Sequence, residues 1–263
     1  PTLMAGNGTV LKHASNVPAS ALGIQDVFEK AGFPKGLFKT LLVGSKAVKG
    51  IIEHEKIKAV TLTGSGPAGS AVAAIAGKSI KKTVLELGGS DAYVILEDAD
   101  LDEAVKACVT SRLLNSGQSC IGAKRFIVVE KIYDEFLKKF KNEMKVKKMG
   151  DPMKGNTDIG PMARYDLRDE LHEQVTQSIE KGAKLILGGK IPRNRKGAFY
   201  PATILVNVKK GMPAYEDELF GPVASVIKVA DQAEAIDVAN DSKFGLGAAV
   251  FTLDRKLGEH IAT

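Results

Sequence analysis

The chain has 263 residues, 44% of them hydrophobic and 26% charged, an ordinary composition for a globular protein of one or two cores. Its 37 basic and 31 acidic residues leave a net charge of +6, too mild an excess for a nucleic-acid binder, and no apolar run approaches the ~20 residues of a bilayer span. Two cysteines, Cys108 and Cys120, and four scattered histidines form neither a disulfide framework nor a metal-ligand pattern, so a reduced, cytoplasmic protein with no metal, nucleic-acid or membrane partner is expected.

Strand and helix signals alternate along the first ninety residues. TVLK (9–12) is strand-like, and ASALGIQDVFEKA (19–31) has helical apolar spacing closed by Gly32 and Pro34. KTLLVG (39–44), KAVTLTG (58–64) and KTVLEL (82–87) read as strands, separated by the helical KAVKGIIEHE (46–55) and GPAGSAVAAIAGKSI (66–80). Val- and Leu-rich strands between helices predict a parallel sheet covered on both faces, a doubly wound α/β arrangement. A domain boundary is expected near Gly88-Gly89, dividing the chain into 1–88 and 89–263, the second part also α/β.

In that second part DLDEAVKACVTSRLLN (100–115) is a helix led by acids, as the helix dipole favours. RFIVVE (125–130) is a strand and IYDEFLKKFKNEMKV (132–146) a helix. The lysine run 138–148 reads as that helix's wet face, with Phe136 and Phe140, four residues apart, on its buried stripe. ARYDLRDELHEQVTQSIEKG (163–182) and DQAEAIDVAND (231–241) are further helices. KLILGG (184–189), TILVNV (203–208), PVASVIKV (222–229) and GLGAAVFT (245–252) are strands. The chain opens on PTLMAG and ends on the amphipathic DRKLGEHIAT, without a Gly or Asn stop signal, which suggests an excerpt of a longer protein.

Three motifs bear on chemistry. Gly64-Ser65-Gly66-Pro67-Ala68-Gly69 fits G-x-G-x-x-G after a strand, with Glu86 22 residues further on. Alone the match is weak, because Pro67 removes one backbone donor. Gly77-Lys78-Ser79 has Val72 where a P-loop needs glycine and lies at a helix end, so it is rejected. Cys108 reads as a small buried hydrophobe, whereas Cys120 follows the polar, Gly-rich Asn115-Ser116-Gly117-Gln118-Ser119 and is either a packing residue or an accessible, reactive thiol. Glu86, closing an apolar strand, is either turned to solvent or a buried acid of raised pKa and a candidate base. Gly88 and Gly89 let the chain turn sharply beside a ligand.

These segments carry a resemblance. LELGGSDA (85–92) and NSGQSCIGAKRFIV (115–128), with LTGS (62–65) and ELFGPV (218–223), resemble in order and spacing the signature segments of the aldehyde dehydrogenase superfamily, over the whole chain. LKHASNV, ELGGSDAYVIL, KKMGDP and GPMARYDLRDELH look like the short bacterial succinate-semialdehyde dehydrogenase branch. The resemblance implies that 1–88 is the C-terminal part of a coenzyme-binding domain and 89–263 a nucleophile-bearing catalytic domain. It implies oxidation of an aldehyde with NAD or NADP, Cys120 as nucleophile through a thiohemiacetal and a thioester, and Glu86 as base for the hydrolytic water. It places Lys12 on the adenosine ribose, Ser65 on the pyrophosphate, Glu218 on the nicotinamide ribose and Phe220 beside the ring, with Gly64 and Leu87 also at the cofactor. Under the resemblance Glu86 is no ribose ligand, and the G-x-G-x-x-G match is partly accidental.

Departures from the family pattern refine these expectations. The family's Asn oxyanion donor belongs to a segment ahead of residue 1, and its final, oligomerising part lies beyond residue 263. The chain by itself is therefore expected to be inactive, although its parent enzyme is an oligomer. Many succinate-semialdehyde dehydrogenases carry Arg six residues before the nucleophile, where this chain has Leu114 with Arg112 nearby. Ser15 stands where many NAD-specific members have a Glu that repels a 2′-phosphate, so NADP is tolerated. The alternatives are a non-catalytic nucleotide-binding relative, which would lack Cys120 or Glu86, and a basic nucleic-acid binder, which would bind with strong salt dependence.

Overall fold

The computed structural model describes residues 1–263, which fall into two compact units, Pro1–Leu87 and Gly88–Thr263. In the first, β1 (Thr9–Lys12) pairs in parallel with β2 (Phe38–Leu41) through the crossover helix α1 (Pro18–Lys30). Proline opens α1, where its missing N–H costs nothing, and the chain turns out of the helix at Gly32 with φ +84°. Gln25 and Ala21 of α1 hold β2 at Thr40, whose amide donates to Gln25 Oε1 (2.9 Å) and whose hydroxyl donates to the Ala21 carbonyl (2.7 Å). After α2 (Val48–Glu53), β3 (Ala59–Thr63) and β4 (Lys82–Glu86) form a second parallel ribbon joined by α3 (Gly66–Lys78). Ile52, Val72 and Ala76 make its small core, with Val60, Leu62 and Leu85 packed on them.

This unit is parallel α/β, as expected. Its strands lie in two separate two-stranded ribbons. In the β3–β4 ribbon Val60, Leu62 and Leu85 face the helices, while Thr61, Thr63 and Val84 are exposed. The helices of the unit cover one side of the ribbon, and alternation of side chains along a strand leaves the other side bare.

The second unit contains a six-stranded sheet in the order β10-β5-β6-β9-β8-β7. Its strands are β5 (Ala92–Ile95), β6 (Arg125–Val129), β7 (Lys184–Leu187), β8 (Thr203–Val206), β9 (Val223–Val229) and β10 (Ala248–Phe251). All neighbours are parallel except the edge pair β7–β8, which is antiparallel. Here coverage of both faces is complete. Phe126 and Val128 enter one core with Ile95, Ile204 and Val226, under helices α4 (Leu101–Leu113) and α5 (Glu130–Lys145). Ile127 and Val129, one residue out of step, enter the other with Val94, Leu205 and Ile227, under α6 (Tyr165–Glu180) and α8 (Gln232–Asn240). A short α7 (Pro213–Glu216) and a final α9 (Arg255–Ala262) complete the unit. α5 presents Tyr133, Phe136, Phe140 and Met144 inward and its lysines outward, as its periodicity predicts.

Two elements have no counterpart in the sequence reading, β5 and α7. β5 is four residues long and follows a polar Gly-Gly-Ser-Asp turn. α7 is a single turn opened by Pro213. No helix is long and apolar enough to cross a membrane.

Phe140 is fully buried, with its ring stacked on Phe136 at 5.4 Å and tilted against Phe126 at 4.9 Å. Phe140→Ala is expected to cost about 3–5 kcal/mol of unfolding free energy in chemical denaturation, the usual range for removing a buried aromatic ring.

Candidate active site

The second unit places Cys120 where α4 runs out. α4 stops at Leu113, and the chain then takes three consecutive left-handed residues, Asn115 (φ 51°), Ser116 (φ 57°) and Gly117 (φ 78°), before reaching Cys120. Asparagine tolerates this region, serine does so at a cost, and glycine is required at the third position. A Cβ on Gly117 would strike the carbonyl of Gly221 and the nitrogen of Pro222.

Side chains hold this turn from several directions. Asn115 Nδ2 donates to the Gln118 carbonyl at 3.1 Å and Gln118 Nε2 to the Asn115 carbonyl at 3.2 Å, while the Ala163 amide donates to Gln118 Oε1 at 2.8 Å. Ser116 Oγ donates to the Gly160 carbonyl at 3.2 Å. From beneath, Arg112 Nη2 donates to the Gly117 carbonyl at 2.5 Å, and Lys124 Nζ donates to the carbonyls of both Ser119 and Cys120 at 2.8 Å.

The two cysteines have opposite environments. Cys108 is sealed in the α4 core, where burial pushes its thiol far up and keeps it protonated. Cys120 is half-buried at the end of the turn. Of the two alternatives for Cys120, its place on an accessible turn fits the reactive thiol, and Cys108 is the packing residue.

Lys124 and Glu218 meet beneath this turn, with Nζ 3.2 Å from Oε1 and the lysine side chain 1% exposed. The Gly89 amide donates to the same carboxylate oxygen at 3.1 Å, and a Cβ on Gly88 would collide with the carboxylate. The glycine pair therefore admits a side-chain carboxylate. Asp91 and Arg112 complete a buried group of charges. Burial pushes the Asp91 carboxyl up, opposed by Lys124. Burial lowers the Arg112 guanidinium to about 10, opposed by Glu218 and Asp91. The Lys124 ammonium is lowered by burial and then by Arg112, and supported by Glu218. Phe220, two residues after Glu218, is exposed.

Arg112 does not present itself to a substrate. It is fully buried under the turn, whereas Leu114 is exposed. The same region also contains a residue that the sequence reading passes over, Lys124. In sequence it is a lysine just ahead of the strand β6, with nothing to mark it as buried.

In the first unit the predicted residues gather at the carboxyl ends of β3 and β4. The Gly64 amide donates to the Glu86 carbonyl at 2.9 Å, extending the register that pairs Thr63 with Glu86. Ser65 caps α3, accepting from the Ala68 amide at 3.5 Å. Leu87 packs on Gly69, where a Cβ would come within 2.6 Å of it. Glu86 is exposed, which is the solvent-turned of its two alternatives, and not a buried acid. Lys12 ends β1 half-buried, and Ser15 is exposed in the turn that follows. No group of three or more His, Cys, Asp or Glu side chains is gathered as metal ligands.

A Gly117→Ala variant adds left-handed strain to a backbone collision. It is expected to lower stability by about 2–4 kcal/mol in urea titration, well beyond an ordinary glycine-to-alanine change.

The chain matches the aldehyde dehydrogenase family over residues 1–263. It is 54% identical over 254 residues to a succinate-semialdehyde dehydrogenase [NADP(+)] of Mycobacterium avium, covering 97% of this chain and 54% of that protein. The solved structure of Gox0499 superposes with a TM-score of 0.97 at 46% identity, covering 99% of this chain and 57% of that one. Succinic semialdehyde dehydrogenase from Streptococcus pyogenes, in complex with NADP+, superposes with a TM-score of 0.95 at 39% identity, covering 98% and 56%. The chain spans about half the length of the curated relatives it matches. With the match running from the first residue to the last, the chain belongs to the aldehyde dehydrogenase family.

Proposed function

We propose that this chain carries the nucleophile and cofactor-binding residues of an NADP-dependent aldehyde dehydrogenase acting on a small aldehyde, with succinic semialdehyde the first candidate. The observation that carries the reading is Cys120, half-buried at the end of a strained turn whose carbonyls are held by buried cations. The substrate class is supported by the names of the relatives at 54% and 39% identity. Residues 1–88 are read as the C-terminal part of the coenzyme-binding domain and 89–263 as the catalytic domain.

The residues of the first unit fit a dinucleotide. Gly64, Ser65 and Gly66 are exposed where the helix α3 begins, and a Cβ on Gly66 would meet only open space, so a ligand's pyrophosphate can approach the backbone at the positive end of the helix. Ser65 would hold the pyrophosphate, Lys12 the adenosine ribose and Glu218 the nicotinamide ribose, and Gly64, Leu87 and Phe220 would line the cofactor. NADP+ when bound supplies the acceptor for the hydride that leaves the aldehyde carbon.

Cys120 Sγ, as thiolate, attacks the aldehyde carbon to give a tetrahedral thiohemiacetal, and its backbone N–H holds the developing oxyanion. Loss of hydride leaves a thioester on Sγ. Glu86 takes a proton from the water that hydrolyses this ester, releasing the carboxylic acid and the free thiol. A soft nucleophile and a separate base are both needed because oxidation and hydrolysis are distinct steps.

The test is an aldehyde panel with NADP+ and NAD+. The chain is assayed alone and completed with the flanking segments of a curated relative. Reduction of NADP+ is expected in the completed form and not in the chain alone. In the completed form Cys120→Ala is expected to lower turnover by at least ~10³-fold, as removal of a covalent nucleophile does. Cofactor binding with no turnover on any aldehyde would favour a non-catalytic nucleotide-binding relative.

Ser15 has no charge to oppose a 2′-phosphate. In the completed form Ser15→Glu is expected to raise the KM for NADP+ about tenfold or more and to leave that for NAD+ within about threefold, through like-charge repulsion. Equal effects on the two cofactors would remove Ser15 from the specificity argument.

A further inference from the structure

We propose that Lys124 is a positioning residue for Cys120, its buried ammonium clamping the backbone of the nucleophile turn and coupling the thiol to the Glu218 carboxylate. The three acceptors of Nζ are the Ser119 carbonyl (2.8 Å), the Cys120 carbonyl (2.8 Å) and Glu218 Oε1 (3.2 Å), which use the full donor capacity of an ammonium. The two carbonyls belong to Cys120 and the residue before it. Fixing both sets the peptide planes on either side of the Cys120 Cα, and with them the direction of its Cα–Cβ bond. Glu218 is itself held, by the Gly89 amide, so the clamp is anchored at its far end.

Charge adds to this geometry. Covalent geometry keeps a cysteine sulfur within ~5 Å of its own carbonyl oxygen, so the ammonium acts on Sγ over a short path through a buried region. The charged groups around it are Arg112 from α4, Asp91 from the segment before β5, Glu218 from the segment before β9, and Arg125, its neighbour at the head of β6. A nearby cation favours any thiolate and a nearby anion opposes it, so removing the ammonium and removing the carboxylate are expected to act in opposite directions.

The inference rests on reading Cys120 as the nucleophile, and its test reads the thiol itself with no cofactor present. Iodoacetamide alkylation of the purified protein is followed across pH, with the modified residue located by mass spectrometry. Cys108 is sealed and contributes no signal. Lys124→Met is expected to move the midpoint of the alkylation profile up by about one pH unit, a tenfold slower reaction at neutral pH. Glu218→Gln is expected to move it down, and the double variant to return toward the parent protein. A lysine that only braced the turn would alter the rate without opposite shifts of the midpoint. An unmoved midpoint in Lys124→Met, or shifts of the same sign in both single variants, overturns the proposal. Should Lys124→Met fail to fold, the downward shift in Glu218→Gln decides the matter alone. If the midpoints move as stated and the completed form oxidises no aldehyde, the clamp stands and the proposed activity falls.

Discussion

Everything around Cys120 depends on how the carbonyls of the turn before and at that residue are satisfied. Three successive left-handed residues lead the chain out of α4, and beyond them the Ser119 carbonyl accepts from the Gly122 amide at 3.1 Å as well as from Lys124. Serine at the middle position costs roughly 1–2 kcal/mol of backbone energy, and each buried carbonyl left unpaired would cost about 1–3 kcal/mol more. Arg112 and Lys124 meet that demand at Gly117, Ser119 and Cys120. Charged donors make the stronger hydrogen bonds, so a conformation that local propensity disfavours becomes the stable one. The cations are tolerable in turn because Glu218 and Asp91 share their enclosure. A buried cation without such partners would carry a desolvation penalty of several kcal/mol.

The sheet decides where these cations can stand. Lys124 and Arg125 are consecutive at the head of β6, so their side chains leave in opposite directions. Lys124 goes to the Cys120 turn. Arg125 reaches the other way, donating to the carbonyls of Ser90 (3.1 Å), Val238 (2.7 Å) and Ala239 (3.0 Å), the last two at the end of α8 where a helix welcomes positive charge. One strand start thus fixes the nucleophile turn on one side and a helix end on the other. Cys120 sits at the amino end of a strand, whereas Gly64, Ser65 and Glu86 sit at the carboxyl ends of β3 and β4. The second placement is the usual one for ligands of parallel sheets, and the first is a property of the turn.

The sequence made much of this legible, and the exceptions are instructive. The amphipathic α5 announces its buried face through Phe136 and Phe140, and β6 and β9 read as strands because four and five apolar positions, respectively, stand between turn signals. β5 escaped because four residues behind a Gly-Gly-Ser-Asp turn are too few to show a period. Both units are parallel α/β as the alternation of strand and helix signals predicts, and both faces of the sheet are covered in the second. Val84 looks like a core residue in the sequence and is 60% exposed. Cys120 was legible from its polar, Gly-rich surroundings. Lys124 was not, since a lysine in sequence reads as solvated, and only the fold shows that all three of its donors are used in the interior.

The Gly88-Gly89 pair has a partner within the fold that its local reading does not name. Glycines beside a candidate base suggest a sharp turn against a ligand. In the folded unit the space they leave is filled by Glu218, whose carboxylate lies where a Gly88 Cβ would be and accepts from the Gly89 amide. A Cβ on Gly89 would also stand 3.0 Å from the Cys120 carbonyl oxygen, the acceptor that Lys124 uses. The glycines thus serve two interactions that meet at one lysine. Any larger residue at Gly88 would have to move Glu218, and with Glu218 the ammonium that holds the cysteine. Small residues here are a requirement of the charge arrangement as much as of the backbone, which ties the LELGGS segment to the reactivity of a thiol some thirty residues away along the chain.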